Sequence, residues 1–343
     1  MEVKKYKTMQ DQIKNYLSTV QFGEPQSHHN LVLFPLQATQ NSGLAYITLG
    51  EAIAAGSLTV TEISVSASVS ELFVNNQGDT AVLLVDGEEL LGAKQNRVLN
   101  TSVLVRGGSK TIIPVSCTEA YRWSYNSAHF SPSPAIMASE SRARKSRSVS
   151  ASLDADASYR SDQGEVWNDV SNLQTKAGMT SPTAAMIDVF KAFDAKLKEC
   201  QPQLPCQPGQ QGLIVLHKGQ VAGFDLISRP EAYARLHHKF VRSYMIEGIM
   251  EEAVTPEDPQ LAKEKVRSFL GDLTRAGEQK FQSVGYGWDF RFRADGLTGS
   301  ALVADNHVIH AAAFKLEPVA QPPTDMAALS QRWRRYTREQ TGV

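Results

Sequence analysis

The densest run of reactive side chains lies between Asp86 and Thr101: Asp86-Gly87-Glu88-Glu89, then Lys94-Gln95-Asn96-Arg97, then Asn100-Thr101. Lys94 and Arg97 have the charge to neutralise a phosphate, and Gln95, Asn96 and Asn100 can hydrogen-bond hydroxyls or a base. Glu88 or Glu89 is the candidate general acid or base, provided burial raises its pKa toward neutrality. The same composition also fits a solvated hairpin with incidental charges. A second cluster, Ser116-Cys117-Thr118-Glu119-Ala120-Tyr121-Arg122-Trp123, pairs a guanidinium fork (Arg122) with a stacking surface (Trp123). Cys117 closes an apolar strand, which suits a small packing residue better than a nucleophile. Arg142, Arg144, Lys145 and Arg147 place four cations in six positions, calling for acids, solvent or a bound anion. Glu165 opens a helix at Gln163-Gly164-Glu165-Val166-Trp167, where a first-turn acid is favourable whatever its function; Trp167 reads as core.

The elements that must position these groups are mixed. Residues 31–125 read as β-rich, with short apolar runs separated by turn signals such as Asn75-Asn76-Gln77-Gly78-Asp79, the pattern of a sandwich or barrel-like part. Ser, Pro and Ala dominate residues 126–160, which predicts a long exposed or gating loop whose basic cluster faces the 88–100 segment. Residues 161–275 are mainly helical, with Pro230 and the Thr255-Pro256-Glu257-Asp258 segment as start signals. Residues 280–316 return to β, with Tyr286, Trp288, Phe290 and Phe292 alternating against Gly287, Asp289, Arg291 and Arg293. Val82–Gly92, Leu213–Gly223 and Ala301–Ala311 share a run-turn-run build, which predicts three hairpins. The expected architecture is α+β: residues 1–30 an N-terminal helix and loop, 31–318 a single domain whose C-terminal strands complete it, and 319–343 a tail. That tail carries Arg332, Trp333, Arg334, Arg335 and Arg338, with a short terminal helix expected after Pro322.

Composition narrows the function classes. The chain has 343 residues, 42% of them hydrophobic, and 35 basic against 36 acidic residues, a net charge of −1. No global field attracts a polyanion, so nucleic acid is disfavoured as a partner. Nothing approaches the roughly 20 apolar residues of a membrane span, and no signal peptide follows Lys4, Lys5 and Lys7. Three cysteines form no disulfide framework, which points to a cytoplasmic setting. The usual mononucleotide, hydrolase and zinc motifs are missing. Cys200 and Cys206 flank prolines without a nearby histidine, and His237-His238 fit a helix edge, so no metal site is expected. No cofactor or oligomeric state can be named from these features.

The run Gly87-Glu88-Glu89-Leu90-Leu91-Gly92-Ala93-Lys94-Gln95-Asn96-Arg97-Val98-Leu99-Asn100-Thr101-Ser102 resembles the signature of the ADP-ribosylglycohydrolase- and rhodanese-phosphatase-associated protein domain family. Ile113-Pro114-Val115-Ser116-Cys117, Arg122-Trp123-Ser124-Tyr125, Arg142-Ala143-Arg144-Lys145 and Gln163-Gly164-Glu165-Val166-Trp167 follow its pattern in the same order. The likeness runs from about Leu33 to Pro318. It implies association with proteins that handle ADP-ribose and phosphate, and it implies no defined reaction.

Two functions are therefore expected to compete. In the first, the chain binds a phosphorylated or nucleotide-derived small ligand, ADP-ribose-like, and hydrolysis is a further step. Lys94, Arg97, Arg122, Arg142, Arg144 and Lys145 would hold anionic groups, Gln95, Asn96, Asn100, Trp123 and Glu165 would complete the ligand-binding set, and Glu88 or Glu89 would be catalytic. In the second, the charged loop grips a protein partner without catalysis.

Overall fold

Period-two alternation builds the main sheet. Leu33, Leu213, Val215 and Ala312 turn to one face, while Phe34, Ile214, Phe224 and Ala313 turn to the other. The computed structural model describes residues 13–38, 43–64, 69–254 and 258–316. Within them, nine antiparallel strands form one sheet in the order Val20–Phe22, Leu31–Ala38, Gly212–His217, Gln220–Ile227, His307–Lys315, Leu297–Ala304, Trp288–Ala294, Gly277–Gln282, with Gln26–His28 also on Leu31–Ala38. The C-terminal strands therefore share a sheet with the N-terminal ones. Two of its turns, Lys218-Gly219 and Asp305-Asn306, have positive φ at both residues, the tight form that matches strand twist.

One face of this sheet packs under residues 13–17 and the helix Pro259–Arg275, through Ala262, Val266, Phe269 and Leu273. The other face packs under the helices Ser139–Asp156 and Pro230–Gly248. The N-terminal β part is separate: a three-stranded sheet (Val103–Val105, Ala81–Leu84, Tyr46–Thr48) and a six-stranded one (Phe130–Ile136, Glu88–Gly92, Arg97–Leu99, Ser109–Cys117, Glu71–Asn76, Leu58–Glu62). They enclose a core of Leu49, Val60, Val74, Leu84, Leu90, Leu99 and Val115. The architecture is α+β, as the change from strand to helix periods implies.

Two expectations are corrected. Residues 126–160 are not a long loop: Phe130–Ile136 is a strand and Ser139–Asp156 an 18-residue helix. Pro132 and Pro134 are tolerated because their strand is a sheet edge. The helix hides from hydrophobic periodicity because its buried face, Arg142, Lys145, Ser146, Val149 and Leu153, begins with polar groups. The second correction concerns Val82–Gly92, which is not a hairpin. Ala81–Leu84 pairs with Val103–Val105 and Tyr46–Thr48, whereas Glu88–Gly92 pairs with Phe130–Ile136 and Arg97–Leu99. Residues 255–257, most of the expected Thr255 start, lie outside the described residues; Asp258 caps the helix, its Oδ1 accepting from the Gln260 N–H at 2.7 Å. The basic tail and its expected helix also lie outside.

Candidate functional site

The turn at Asp86-Gly87 feeds the signature run into the space between the sheets. Gly87 has φ +82°, and its N–H donates to the Leu99 carbonyl at 3.1 Å. From the 139–156 helix, Arg142 and Lys145 reach down to the same place, one helical turn apart. Arg142 makes a two-pronged pair with Asp225, Nη1 to Oδ2 at 3.0 Å and Nη2 to Oδ1 at 2.7 Å. Lys145 is ion-paired with Asp86 and donates to the Asn100 carbonyl at 3.2 Å. The main sheet contributes Asp225, Asp289, Arg291 and His310, each on the face opposite an apolar neighbour of its own strand. Arg291 Nε donates to Asp289 Oδ1 at 2.6 Å, and Thr101 Oγ1 donates to Asp289 Oδ2 at 2.9 Å.

All these side chains are buried. Arg142, Lys145 and Arg291 balance Asp86, Asp225 and Asp289, so the array is paired internally. Burial pushes the Asp225 carboxyl up, but Arg142 and His310 together hold it below the usual carboxylate range. Burial lowers the Lys145 ammonium, and Asp86 only partly offsets it.

Ser102, His310 and Asp225 lie in the order of a hydrolytic triad. Ser102 Oγ accepts from the Asp86 N–H at 2.8 Å and shares a hydrogen bond with His310 Nδ1, 2.8 Å away. That leaves His310 Nε2 facing Asp225 Oδ1 at 3.6 Å. Asp225, however, already serves Arg142 with both oxygens and accepts from Tyr244 at 2.8 Å. A carboxylate so neutralised gives little help to an imidazolium, and the row reads as a brace.

The two glutamates part company. Glu88 is fully buried, accepting from Lys239 Nζ at 2.9 Å and from the Val85 N–H at 3.0 Å. Glu89 is also fully buried but meets only hydroxyls, Thr118 at 2.8 Å and Ser133 at 2.9 Å. Burial pushes its carboxyl up to about 8, against the pull of those two hydrogen bonds. Glu89 thus holds a proton in the fold at pH values where the unfolded chain, near 4.5, has released it. The stabilisation from that proton is complete below about pH 4.5 and fades as pH rises through about 8. Glu89→Gln is expected to flatten this part of the decline, so that the difference in Tm between pH 5 and pH 8 shrinks relative to wild type. An unchanged difference contradicts a protonated Glu89.

Of the remaining signature residues, Lys94 reaches a surface patch of aromatic rings. Lys94 Nζ lies 5.3 Å from the Trp123 ring centroid and 5.2 Å from that of Tyr125. Trp123 and Tyr125 are 49% and 53% exposed, and Tyr121 beside them 66%. Beneath, Arg97 is fully buried, its guanidinium carbon 5.9 Å from the Trp123 ring. Its Nη1 donates to Gln95 Oε1 at 3.1 Å, and its Nη2 lies 3.8 Å from Glu62. Arg97 Nε and Nη2 have no hydrogen-bond partner among the described residues, so these two donors are unsatisfied although Glu62 balances the charge.

Arg122 fastens the patch together. It donates to Glu119 at 2.9 and 2.6 Å, to the Ala93 carbonyl at 2.6 Å and to Asn96 Oδ1 at 3.2 Å, tying the 92–96 turn to the segment carrying Trp123. Asn96 in turn donates its N–H to Glu119 at 3.1 Å.

The predicted residues therefore occupy several places. Lys94 and Trp123 reach the surface, with Arg122 half-buried beside them and Gln95, Asn96 and Arg97 buried beneath; Glu88, Asn100, Arg142 and Lys145 make buried polar contacts between elements, and Glu89 is buried apart from them against Thr118 and Ser133. Arg144 turns away to Asp169 at 2.7 Å, and Glu165 to Arg147 at 3.0 Å, on the outer side of the helices. Burial pushes the Cys117 thiol up to about 11, consistent with packing. Asp225, His310, Tyr244 and Lys239 went unread. A lone charge inside an apolar strand, as in Gly223-Phe224-Asp225-Leu226-Ile227, is the signal that could have found Asp225 and His310.

Among the described residues no helix is long and apolar enough to cross a membrane, and no group of His, Cys, Asp and Glu has the geometry to hold a metal ion. Comparison with curated proteins and with solved structures gives no match. A family profile, the ARG and Rhodanese-Phosphatase-superfamily-associated Protein domain, matches residues 19–314, from the first strand of the main sheet to the last. That span takes in the buried array and the aromatic patch alike, and the chain belongs to this family.

Proposed function

We propose that this protein binds a small phosphorylated, nucleotide-derived ligand of ADP-ribose type at the Lys94–Trp123–Tyr125 patch. The observation that carries the reading is the Lys94 ammonium, 5.3 and 5.2 Å from the centroids of two half-exposed rings. A cation beside stacking faces suits a ligand that joins an anion to a planar base. Arg97, buried beneath and paired with Glu62, supports the turn from below with Gln95 and Asn96. The family's association with ADP-ribosylglycohydrolases agrees with that ligand class. Arg142, Lys145 and Asn100 support the site from behind by fixing the signature run. The unpaired thiols of Cys117, Cys200 and Cys206 agree with a cytoplasmic setting.

Of the two glutamates weighed for a hydrolytic step, Glu88 is tied to Lys239 and Glu89 is buried against Thr118 and Ser133 away from the patch, so the reading is of binding. The competing reading, a protein-binding or scaffolding role, would use the same exposed rings. A thermal-shift panel of ADP-ribose, ADP and ribose 5-phosphate separates them, since a ligand that favours the native state raises Tm. ADP-ribose and ADP are expected to raise the wild-type Tm and to lose that effect in Trp123→Ala. No shift with any of the three hands the patch to a protein partner.

A further inference from the structure

One ammonium in contact with two separate rings is a more particular arrangement than one nucleotide requires. Lys94 Nζ is nearly equidistant from Trp123 and Tyr125, at 5.3 and 5.2 Å, and lies over both rings. Each ring leaves about half its surface to solvent, 49% and 53%. The Lys94 charge is therefore shared by two half-exposed stacking groups. Arg122 fixes that arrangement: it donates to the carbonyls of Ala93 and Ser124 at 2.6 and 3.0 Å, so the turn bearing Lys94 and the segment bearing both rings move as one piece. Neither ring is needed by the core, since both lie outside the three apolar clusters.

We propose that the patch takes a dinucleoside diphosphate: the diphosphate on Lys94, one base on Trp123 and the second on Tyr125. This rests on the nucleotide-binding reading above and names the ligand class within it. The chemistry matches part for part. A diphosphate bridge carries its negative charge at the middle of the molecule, with a planar group at either end. A mononucleotide places its charge at one end and leaves the second ring uncovered. Stacking on a protein ring is worth about 1–3 kcal/mol per base, so covering the second ring strengthens binding by roughly tenfold.

Diadenosine diphosphate and ADP are the probes, titrated into the full chain by calorimetry. ADP carries the greater negative charge, so a preference for diadenosine diphosphate cannot come from electrostatics. The dinucleotide is expected to bind about tenfold more tightly than ADP. Trp123→Ala and Tyr125→Ala should each weaken it by roughly that factor, while their unliganded Tm stays at the wild-type value. Equal affinity for the two probes, or loss on removing only one ring, overturns the dinucleotide assignment and leaves mononucleotide binding standing. Failure of both probes to bind overturns the nucleotide reading itself.

Discussion

Asp225→Ala is expected to destabilise the protein by about 3–5 kcal/mol, the range for removing one partner of a buried ion pair. The variant leaves the Arg142 guanidinium fully buried with its two-pronged acceptor gone; Asp86, 3.7 Å from Arg142 Nε, is already ion-paired with Lys145. Tyr244 and His310 lose the same carboxylate, so the damage spreads from the helix Ser139–Asp156 to the helix Pro230–Gly248. The midpoint of urea unfolding measures it. The companion Arg142→Met/Asp225→Leu removes both charges and should recover a large part of the loss. If the single variant unfolds at the wild-type midpoint, the array does not hold the sheets together.

The second large effect is a single methyl group. In Gly87→Ala the new Cβ would lie 2.8 Å from Arg142 Nε and 2.9 Å from its Cδ, at a residue with φ +82°. The left-handed backbone alone costs about 1–3 kcal/mol for a side-chain-bearing residue. The contact adds to this, because Arg142 cannot retreat without leaving Asp225. A loss of about 3 kcal/mol or more is expected, and unfolding midpoints again check it. Gly108, also at positive φ but with open space around its Cβ, should tolerate Ala at the backbone cost alone. Equal losses at the two glycines would contradict the close approach at Gly87.

Periodicity made the strands and most helices legible. It failed at Ser139–Asp156 because that helix buries Arg142, Lys145 and Ser146, groups that a hydrophobicity pattern scores as exposed. The mistaken Val82–Gly92 hairpin has a related cause. An apolar run, a Gly-bearing turn and another apolar run describe a chain passing between two sheets as well as one folding back. At the site, the signature run stood out by composition, and Trp123 by type. Sequence could not separate Lys94, which reaches the surface, from Arg97 three positions on, which the strand turns inward opposite Cys117. Nor could it join Asp86 to Asp225, because the two carboxylates meet only through Arg142, a residue of a third element.

Calorimetric titration of ADP-ribose into wild-type protein and into Lys94→Ala is the most direct test of ligand binding at the patch. Lys94 is only partly buried, so its loss should leave the fold intact. Wild type is expected to bind with 1:1 stoichiometry. Lys94→Ala should bind more weakly by about 1.5–3 kcal/mol, the worth of a hydrogen bond to a charged group, which is about 10- to 150-fold in Kd. Equal affinity in the two proteins, or no heat of binding in wild type, would contradict the assignment of this patch to a nucleotide-derived anion.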